Sequence, residues 1–434
     1  MEHIVIIGNG ISGVTAARHI RKLSGKRITI ISSETEFFFS RTALMYVYMG
    51  HMKFEHTQPY ENWFWAQNNI EIVQDYVHTV ATADKKLHLN SGRDIIYDKL
   101  ILATGSISNK FGWPGQDLEG VQGLVSKQDL DQLEITAPNN DKCKRAVLIG
   151  GGLIGVELAE MLSSRNIPVT FLVREKGFWS GVLPMPNAQM ISAHVREHHI
   201  DLREEEEMEQ IIDNGSGAVK AVITKNGETI PCDFVGLCAG VRPRVEFLKE
   251  SGIEIQRGIL VNRYLETSIK DVYAIGDCAQ QREPVGLRKP IEAVWYTGRM
   301  MGETVAQTIC GNPTRWNPGN WFNSAKFFDV EYQTYGWVIN KPKDGNAHFH
   351  WKDPDAHRMV TIEYVKETRE FKGINTFGIR MRHEVFDQWL DNAASVDQVV
   401  NNLPDATFDP EFFKKPYDSI QQAFAQAQSP QHTI

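Results

Sequence analysis

Cysteine is scarce in this chain, and long apolar runs are absent from it. The five cysteines, Cys143, Cys232, Cys238, Cys278 and Cys310, are scattered and odd in number, and no two stand in C-x-x-C or C-x4-C spacing. That excludes a disulfide framework, a zinc ribbon and a vicinal redox pair. No run of about 18 apolar residues occurs, so no membrane-spanning helix is expected. Cationic excess is missing too: 46 Lys and Arg stand against 54 Asp and Glu, a formal charge of −8, and nothing marks a nucleic-acid surface. The first residues enter an apolar strand directly, with no basic segment and apolar core ahead of it, so a signal peptide is not expected and a reducing, cytoplasmic setting is. What remains is a globular composition, 42% hydrophobic and 23% charged over 434 residues. A chain of this length exceeds what one core fills, and two or three domains are expected.

The chain opens on Ile4-Val5-Ile6-Ile7-Gly8-Asn9-Gly10-Ile11-Ser12-Gly13, followed at once by a helical pattern through Val14, Ala16, Ala17 and Ile20. A β-branched strand, a G-x-G-x-x-G turn and a helix in that order form a dinucleotide-binding signature. The glycines permit the tight turn, a close backbone approach to a pyrophosphate and the pressing of helix on strand. The helix start at Ile11 and Ser12 offers free N–H groups to the phosphates. A second strand, Arg27–Ile31, should end at an acid that holds ribose hydroxyls. Here Ser32 occupies that place and Glu34 follows, so the ribose grip falls to a hydroxyl or to a displaced carboxylate. Phe37, Phe38 and Phe39 read as core packing, and Arg41 beside them suits a phosphate or cofactor-edge contact.

Aromatics between 53 and 66 read as packing. Ile70–Val73 and Lys86–Leu89 read as short strands of a meander. The strand that includes Leu100, Ile101 and Leu102 ends in Ala103-Thr104-Gly105, where the backbone can pass close to a bound cofactor and the threonine hydroxyl can cap a turn. A second copy of the opening signature begins about 140 residues after the first, at Ala146-Val147-Leu148-Ile149-Gly150-Gly151-Gly152-Leu153-Ile154-Gly155. Two such units in one chain are far more specific than one. The second unit's strand Val169–Val173 is followed by Arg174, placed where a 2′-phosphate wants a guanidinium, which tilts the reading toward NADPH. Arg203 to Glu207 read as a solvated charged face. Phe234–Gly240 closes this region, with Val241-Arg242-Pro243 as its exit loop. Val272–Ile275 leads to Gly276-Asp277, whose carboxylate can accept hydroxyls of a polyol chain. A helix from about Trp295 to Ile309 directs its N-terminal N–H groups at the same ligand. Beyond Asn320 aromatic, alternating segments (Phe327–Tyr332, Met359–Tyr364, Gly373–Ile379) and a helix through Phe386, Trp389 and Leu390 read as an α+β domain. After Pro404 a modest helical stripe of Ile420, Ala423 and Phe424 with few cations suits docking on the body or on a partner rather than on a membrane.

The order GNGISG, ILATGS, IGGGLIGVE, CAGVRP, YAIGDC and then an aromatic-rich α+β region resembles the pyridine nucleotide-disulfide oxidoreductases, the flavoproteins with two dinucleotide folds, over Met1 to Leu403. The resemblance implies an α/β architecture of two Rossmann-like domains, the second inserted in the first, plus a C-terminal α+β interface domain. Its divisions are an FAD-binding domain in 1–115 and 246–318, an NAD(P)H-binding domain in 116–245, an interface domain in 319–403 and a tail in 404–434. It implies further that Gly8, Gly10 and Gly13 hold the FAD pyrophosphate, Thr104 and Gly105 its edge, and Asp277 its ribityl chain, with Gly240 and Gly276 in the flanking motifs. Gly150, Gly152 and Gly155 hold the NAD(P)H pyrophosphate. Glu157, near where nicotinamide meets flavin, and Trp295, near the pyrimidine end of the flavin, are the candidate catalytic positions.

One departure selects the branch. Thiol-active members carry a cysteine in the segment written here Phe39-Ser40-Arg41-Thr42-Ala43-Leu44, and this chain has Thr42. Disulfide and persulfide reduction need a thiolate nucleophile, so those activities and cysteine-dependent oxidase activity are disfavoured. The segment is instead similar to that of rubredoxin and ferredoxin reductases and of apoptosis-inducing-factor-like proteins. The expected activity is transfer of a hydride from NAD(P)H to FAD and delivery of electrons to a rubredoxin- or ferredoxin-type acceptor or another acceptor. Two other readings are a non-catalytic or electron-delivery flavoprotein subunit of a larger complex, with structural FAD and the tail as docking element, and a peripheral quinone reductase. A homodimer through the C-terminal domain is a further implication of the family.

Overall fold

A computed structural model describes residues 1–408 and 416–428. The chain divides into two compact units: Met1–Gly112, Glu119–Lys142 and Ala239–Pro318 form the first, and Trp113–Leu118, Cys143–Cys238 and Gly319–Ile434 the second. Glu119–Lys142 thus groups with the flanks of the insertion, and the C-terminal region groups with the inserted segment.

The first unit is built on a parallel sheet in the order Val272–Ala274, Lys99–Leu102, His3–Ile7, Arg27–Ser32, Ile70–Gln74. Ile4, Val5, Ile6, Leu100, Ile101 and Leu102 are buried on both faces, which is why these strands read as unbroken apolar runs. Strand order reverses on either side of His3–Ile7, and the Gly8 turn lies at that switch point, where doubly wound sheets take their ligands. The helices Ile11–Leu23 and Trp295–Ile309 pack backbone to backbone. A Cβ at Gly302 would lie 2.5 Å from the Ser12 carbonyl oxygen, and one at Gly298 would lie 2.5 Å from Ser12 Oγ.

The second unit repeats the theme. Its parallel sheet runs Asp201–Glu204, Val169–Val173, Ala146–Ile149, Phe234–Leu237, with the helix Leu153–Ser164 after the glycine turn. Its C-terminal part is an antiparallel sheet in the order Phe322–Phe327, Val330–Gly336, Phe371–Phe377, Met359–Val365, Asn346–Lys352. The helices His383–Asp391, Val396–Asn401 and Tyr417–Gln428 contribute Phe386, Val396, Val399, Ile420 and Phe424 to the core of this part.

Four local expectations need correction. Ile70–Gln74 is the edge of the parallel sheet, and the meander is Val77–Ala81, Lys86–Leu89, Asp94–Ile96. Val241–Pro243 is a strand paired with Ser106–Ser108 and not an exit loop. The run Phe327–Tyr332 is two strands: Phe328 takes φ +55° and turns the chain between them. The charged run near 205 includes one structural member, Glu204, which accepts from Ser192 Oγ at 2.6 Å and from Arg196 at 2.8 Å. The tail stripe docks on the body: Phe424 meets Phe349 edge-on at 5.1 Å between ring centroids. The tail positions 409–415 and 429–434 lie outside the described residues.

Candidate functional sites

Each unit carries one glycine cradle. In the first, Gly8 takes φ +113°, and a Cβ there would sit 2.1 Å from the Ala103 carbonyl oxygen. A Cβ at Gly13 would sit 2.1 Å from the Gly8 carbonyl oxygen. Those two glycines are demanded by the packing of the turn itself. Gly10 is different: its φ of −68° suits any residue, and a Cβ there would meet nothing within 4 Å. The chain has no internal need of glycine at that position. A ligand passing close over the backbone supplies one, and the helix N-terminus behind it has no side-chain cap of its own.

The second cradle shows the same division. Gly150 takes φ +105°, and a Cβ at Gly155 would lie 2.5 Å from the Phe171 ring and 2.9 Å from the Gly150 carbonyl oxygen. Gly152 meets only the Cys238 carbonyl oxygen at 3.9 Å. It has extended backbone that other residues adopt, and it also opens an uncapped helix, whose first residues Leu153 and Ile154 are half-buried. Both cradles therefore fit a pyrophosphate, each with an open middle glycine and a free helix start.

Around the first cradle the polar groups converge. Gly276 takes φ +71° and packs against Ser12, whose Oγ would lie 2.4 Å from a Cβ there. The next residue, Asp277, accepts a hydrogen bond from Ser106 Oγ at 2.8 Å. Burial raises the Asp277 carboxyl above its ordinary value, opposed by that hydroxyl and by the positive charge of Arg41. Thr104 Oγ1 donates to the Arg244 carbonyl at 2.8 Å, and the Arg244 N–H donates to Gly105 at 3.0 Å, which fixes the Ala-Thr-Gly turn. Gly240 takes φ +83°, and Asn109 Nδ2 donates to the adjacent Ala239 carbonyl at 3.1 Å. Trp295 is half-buried at the start of its helix, edge-on to Tyr296 at 5.4 Å.

The residues assigned to the ribose and phosphate are engaged with one another. Arg41 donates from both terminal nitrogens to Glu34, each at 2.7 Å, and also to the Val125 carbonyl at 2.6 Å. Glu34 accepts the Lys127 N–H at 2.8 Å as well. Burial works to raise the Glu34 carboxyl, and the Arg41 hydrogen bonds and charge outweigh it, so the group sits below its ordinary range. Ser32 Oγ donates to Asn9 Oδ1 at 2.9 Å, so its one proton is already committed inside the turn. Asn9 in turn donates to the Thr35 carbonyl at 2.8 Å. Sequence reasoning missed Asn9 and Ser106; their position within and just after the glycine and Ala-Thr-Gly turns was the available signal.

In the second unit Glu157 lies one turn into the helix. Burial pushes its carboxyl up to about 7, and Glu160 adds to the shift. Glu160 is itself paired with Lys326 at 3.1 Å. Arg174 is exposed and donates to its neighbour Glu175 at 2.9 Å, a surface pair that leaves the guanidinium accessible.

Thiol chemistry has no home here. Thr42 is exposed in the turn Arg41–Ala43, its hydroxyl 3.3 Å from that of Ser40. Cys143, Cys232, Cys238 and Cys278 are buried, and Cys310 is partly so. Burial pushes the thiols of Cys143, Cys232 and Cys238 up to about 12, far from the thiolate that nucleophilic sulfur requires.

A parallel sheet with a glycine cradle at its switch point, repeated in a second unit of the same chain, defines a protein of two dinucleotide folds. The family model described as pyridine nucleotide-disulphide oxidoreductase matches residues 2–302. The chain belongs to that family, whose cofactors are FAD and NAD(P)H. It is similar to the NADH-rubredoxin oxidoreductase of Clostridium acetobutylicum, 30% identical over 413 residues that cover 92% of this chain and 99% of the relative. It is also similar to the assimilatory nitrate reductase electron transfer subunit of Bacillus subtilis, 29% identical over 318 residues, 72% of this chain and 39% of the relative. The chain thus spans about two fifths of the length of the first curated relatives it matches. Among solved structures, an NAD-dependent persulfide reductase from A. fulgidus superposes with a TM-score of 0.85 at 22% identity, covering 98% of this chain and 83% of the other. That likeness speaks for the fold. Among the described residues no helix is long and apolar enough to cross a membrane.

Proposed function

We propose that this chain is an FAD-dependent NAD(P)H oxidoreductase that delivers electrons to a rubredoxin- or ferredoxin-type protein without a redox-active thiol. FAD, when bound, supplies the chemistry that takes up a hydride and releases electrons one at a time. The chain's own residues bind, orient and shield. Gly8, Gly10 and Gly13 with the Ile11–Ser12 helix start receive the FAD pyrophosphate, Asp277 accepts hydroxyls of the ribityl chain, and Thr104, Gly105 and Gly240 line the cofactor's edge. The uncapped N–H groups at Trp295 stabilise negative charge there. Glu34 serves the adenosine ribose, Ser32 shaping the turn that presents it, and Arg41 serves a phosphate once its pair with Glu34 loosens. Gly150, Gly152, Gly155 and the helix start at Leu153–Ile154 receive the nicotinamide dinucleotide, Arg174 its 2′-phosphate, and Glu157 orders its nicotinamide pocket. The observation that carries the thiol-free reading is Thr42 in the exposed turn, with four of the five cysteines buried. A cytoplasmic setting suits those free thiols.

The test is reoxidation of the NAD(P)H-reduced protein. Rapid electron transfer to rubredoxin or ferredoxin, with no turnover of disulfide, persulfide or coenzyme A disulfide, supports the reading; the reverse pattern overturns it. A second reading, an electron-delivery subunit of a larger complex, is favoured by the relative named as an electron transfer subunit and by that relative's greater length. Slow reduction by both nucleotides together with stable co-purification of another chain would favour that reading. A homodimer through 319–403 is a further proposal, read out by the solution mass of the purified chain.

A further inference from the structure

Five titratable side chains of the second unit meet away from its glycine cradle. His194 and Glu197 lie on the helix Met185–Glu197 with His198 just beyond it, Asp329 stands in the turn between Phe322–Phe327 and Val330–Gly336, and His357 precedes the strand Met359–Val365. His194 Nε2 is 2.8 Å from Asp329 Oδ1, and His198 Nε2 is 3.0 Å from the same oxygen. On the other side of its ring, His194 Nδ1 is 3.6 Å from Glu197 Oε2, which is 3.1 Å from His357 Nε2.

The His194 side chain is only 3% exposed, yet neither of its ring nitrogens completes a well-angled hydrogen bond among the described residues. A buried imidazole left so is costly unless something else satisfies it. Ligand atoms around a tetrahedral ion lie about 3.3 Å apart and point at the ion instead of at each other, given metal–nitrogen and metal–oxygen distances of about 2.0 to 2.1 Å. The two distances to Asp329 Oδ1 are about 0.3 to 0.5 Å shorter than that, and the ligand atoms of His194, His198 and Asp329 all lie within 4.8 Å of one another. The His198 ring is fixed by stacking on Phe328, with centroids 4.2 Å apart and planes 8° from parallel.

We propose that His194, His198 and Asp329 form a site for a divalent transition-metal ion of the zinc class. Glu197, 3.6 Å from the far nitrogen of His194 and 3.1 Å from His357, stands where the outer carboxylate of a carboxylate–histidine–metal arrangement would orient the ring once an ion binds. Asp329 is largely exposed, its side chain at 73%, so water takes the remaining position. The ion would tie the end of the helix Met185–Glu197 to the hairpin turn at Asp329.

The test uses the full chain, stripped with a chelator and titrated with ZnCl2 by calorimetry, and with CoCl2 to read coordination from its visible absorption. The variants are His198→Gln and Asp329→Asn, neither of which is part of the nucleotide cradles. The expected result is uptake of about one equivalent, a rise in Tm with Zn2+, and affinity at least roughly tenfold weaker in each variant. No saturable uptake by the stripped chain, or equal affinity in the wild type and both variants, overturns the proposal. Flavin content and NAD(P)H reduction are read separately and stay unchanged in both variants.

Discussion

Gly10 and Gly13 stand three residues apart in one turn, yet only Gly13 is boxed in. A Cβ at Gly13 would lie 2.1 Å from the Gly8 carbonyl oxygen, whereas one at Gly10 would meet nothing within 4 Å. Gly13→Ala should therefore destabilise the flavin-free chain by about 1 to 3 kcal/mol. Gly10→Ala should change that stability by less than about 1 kcal/mol and still bind FAD much more weakly. Thermal unfolding of both apo variants and an FAD titration make the comparison. A Gly10→Ala protein that holds FAD like the wild type would contradict the cradle.

Asp277 is half-buried, and desolvation raises its carboxyl. A raised carboxyl favours the folded state in its protonated form, so its contribution is lost as pH rises above the ordinary aspartate range. Asp277→Asn should leave the apo chain at least as stable at neutral pH, and Asp277→Ala should purify with less flavin. Full flavin occupancy in Asp277→Ala would show that the carboxylate does not hold the cofactor.

For Glu157 the window is defined by its shift from 4.5 to about 7. The folded chain binds the proton more tightly than the unfolded one across that range. Relative to Glu157→Gln, wild-type stability should fall as pH rises from about 4.5 to about 7 and level off above it. Chemical denaturation of both proteins at a series of pH values measures this. Parallel curves would show that Glu157 titrates normally.

Arg174 directly follows the second unit's strand Val169–Val173 and is exposed. Arg174→Ala should lower kcat/KM for NADPH about tenfold and leave that for NADH nearly unchanged, in line with loss of one exposed charge-assisted contact. Equal effects on the two nucleotides would remove Arg174 from the 2′-phosphate.

Alkylation of the accessible thiols under native conditions should leave electron transfer to a protein acceptor unchanged, because the cysteines are buried or partly so and none takes the place of Thr42. Turnover before and after treatment checks this, and a proportional loss would restore a thiol to the mechanism.

Both glycine turns, their strands and their helices were legible because local chemistry dictates them: β-branched runs, glycines at fixed offsets and a helical stripe behind. The open space at Gly10 was not, since it depends on what fails to pack there. Glu34 and Arg41 were each singled out, but not their direct pairing, nor the Val125 carbonyl and Lys127 N–H that hold the pair, which come from a segment far along the chain. The Phe327–Tyr332 run misled because Phe328 and Asp329 continue an apolar, alternating pattern while Phe328 turns the backbone at φ +55°. The histidine cluster left only the four-residue spacing of His194 and His198 as a trace, since its other members come from distant segments.

The most direct test of the whole account is anaerobic mixing of the purified flavoprotein with NADH and with NADPH, followed at the flavin's visible absorption band, beside a Gly152→Ala control. Rapid bleaching of the wild type by at least one nucleotide, and a much weaker response in the control with its flavin still bound, is the expected result. A wild-type flavin that neither nucleotide bleaches would contradict the account.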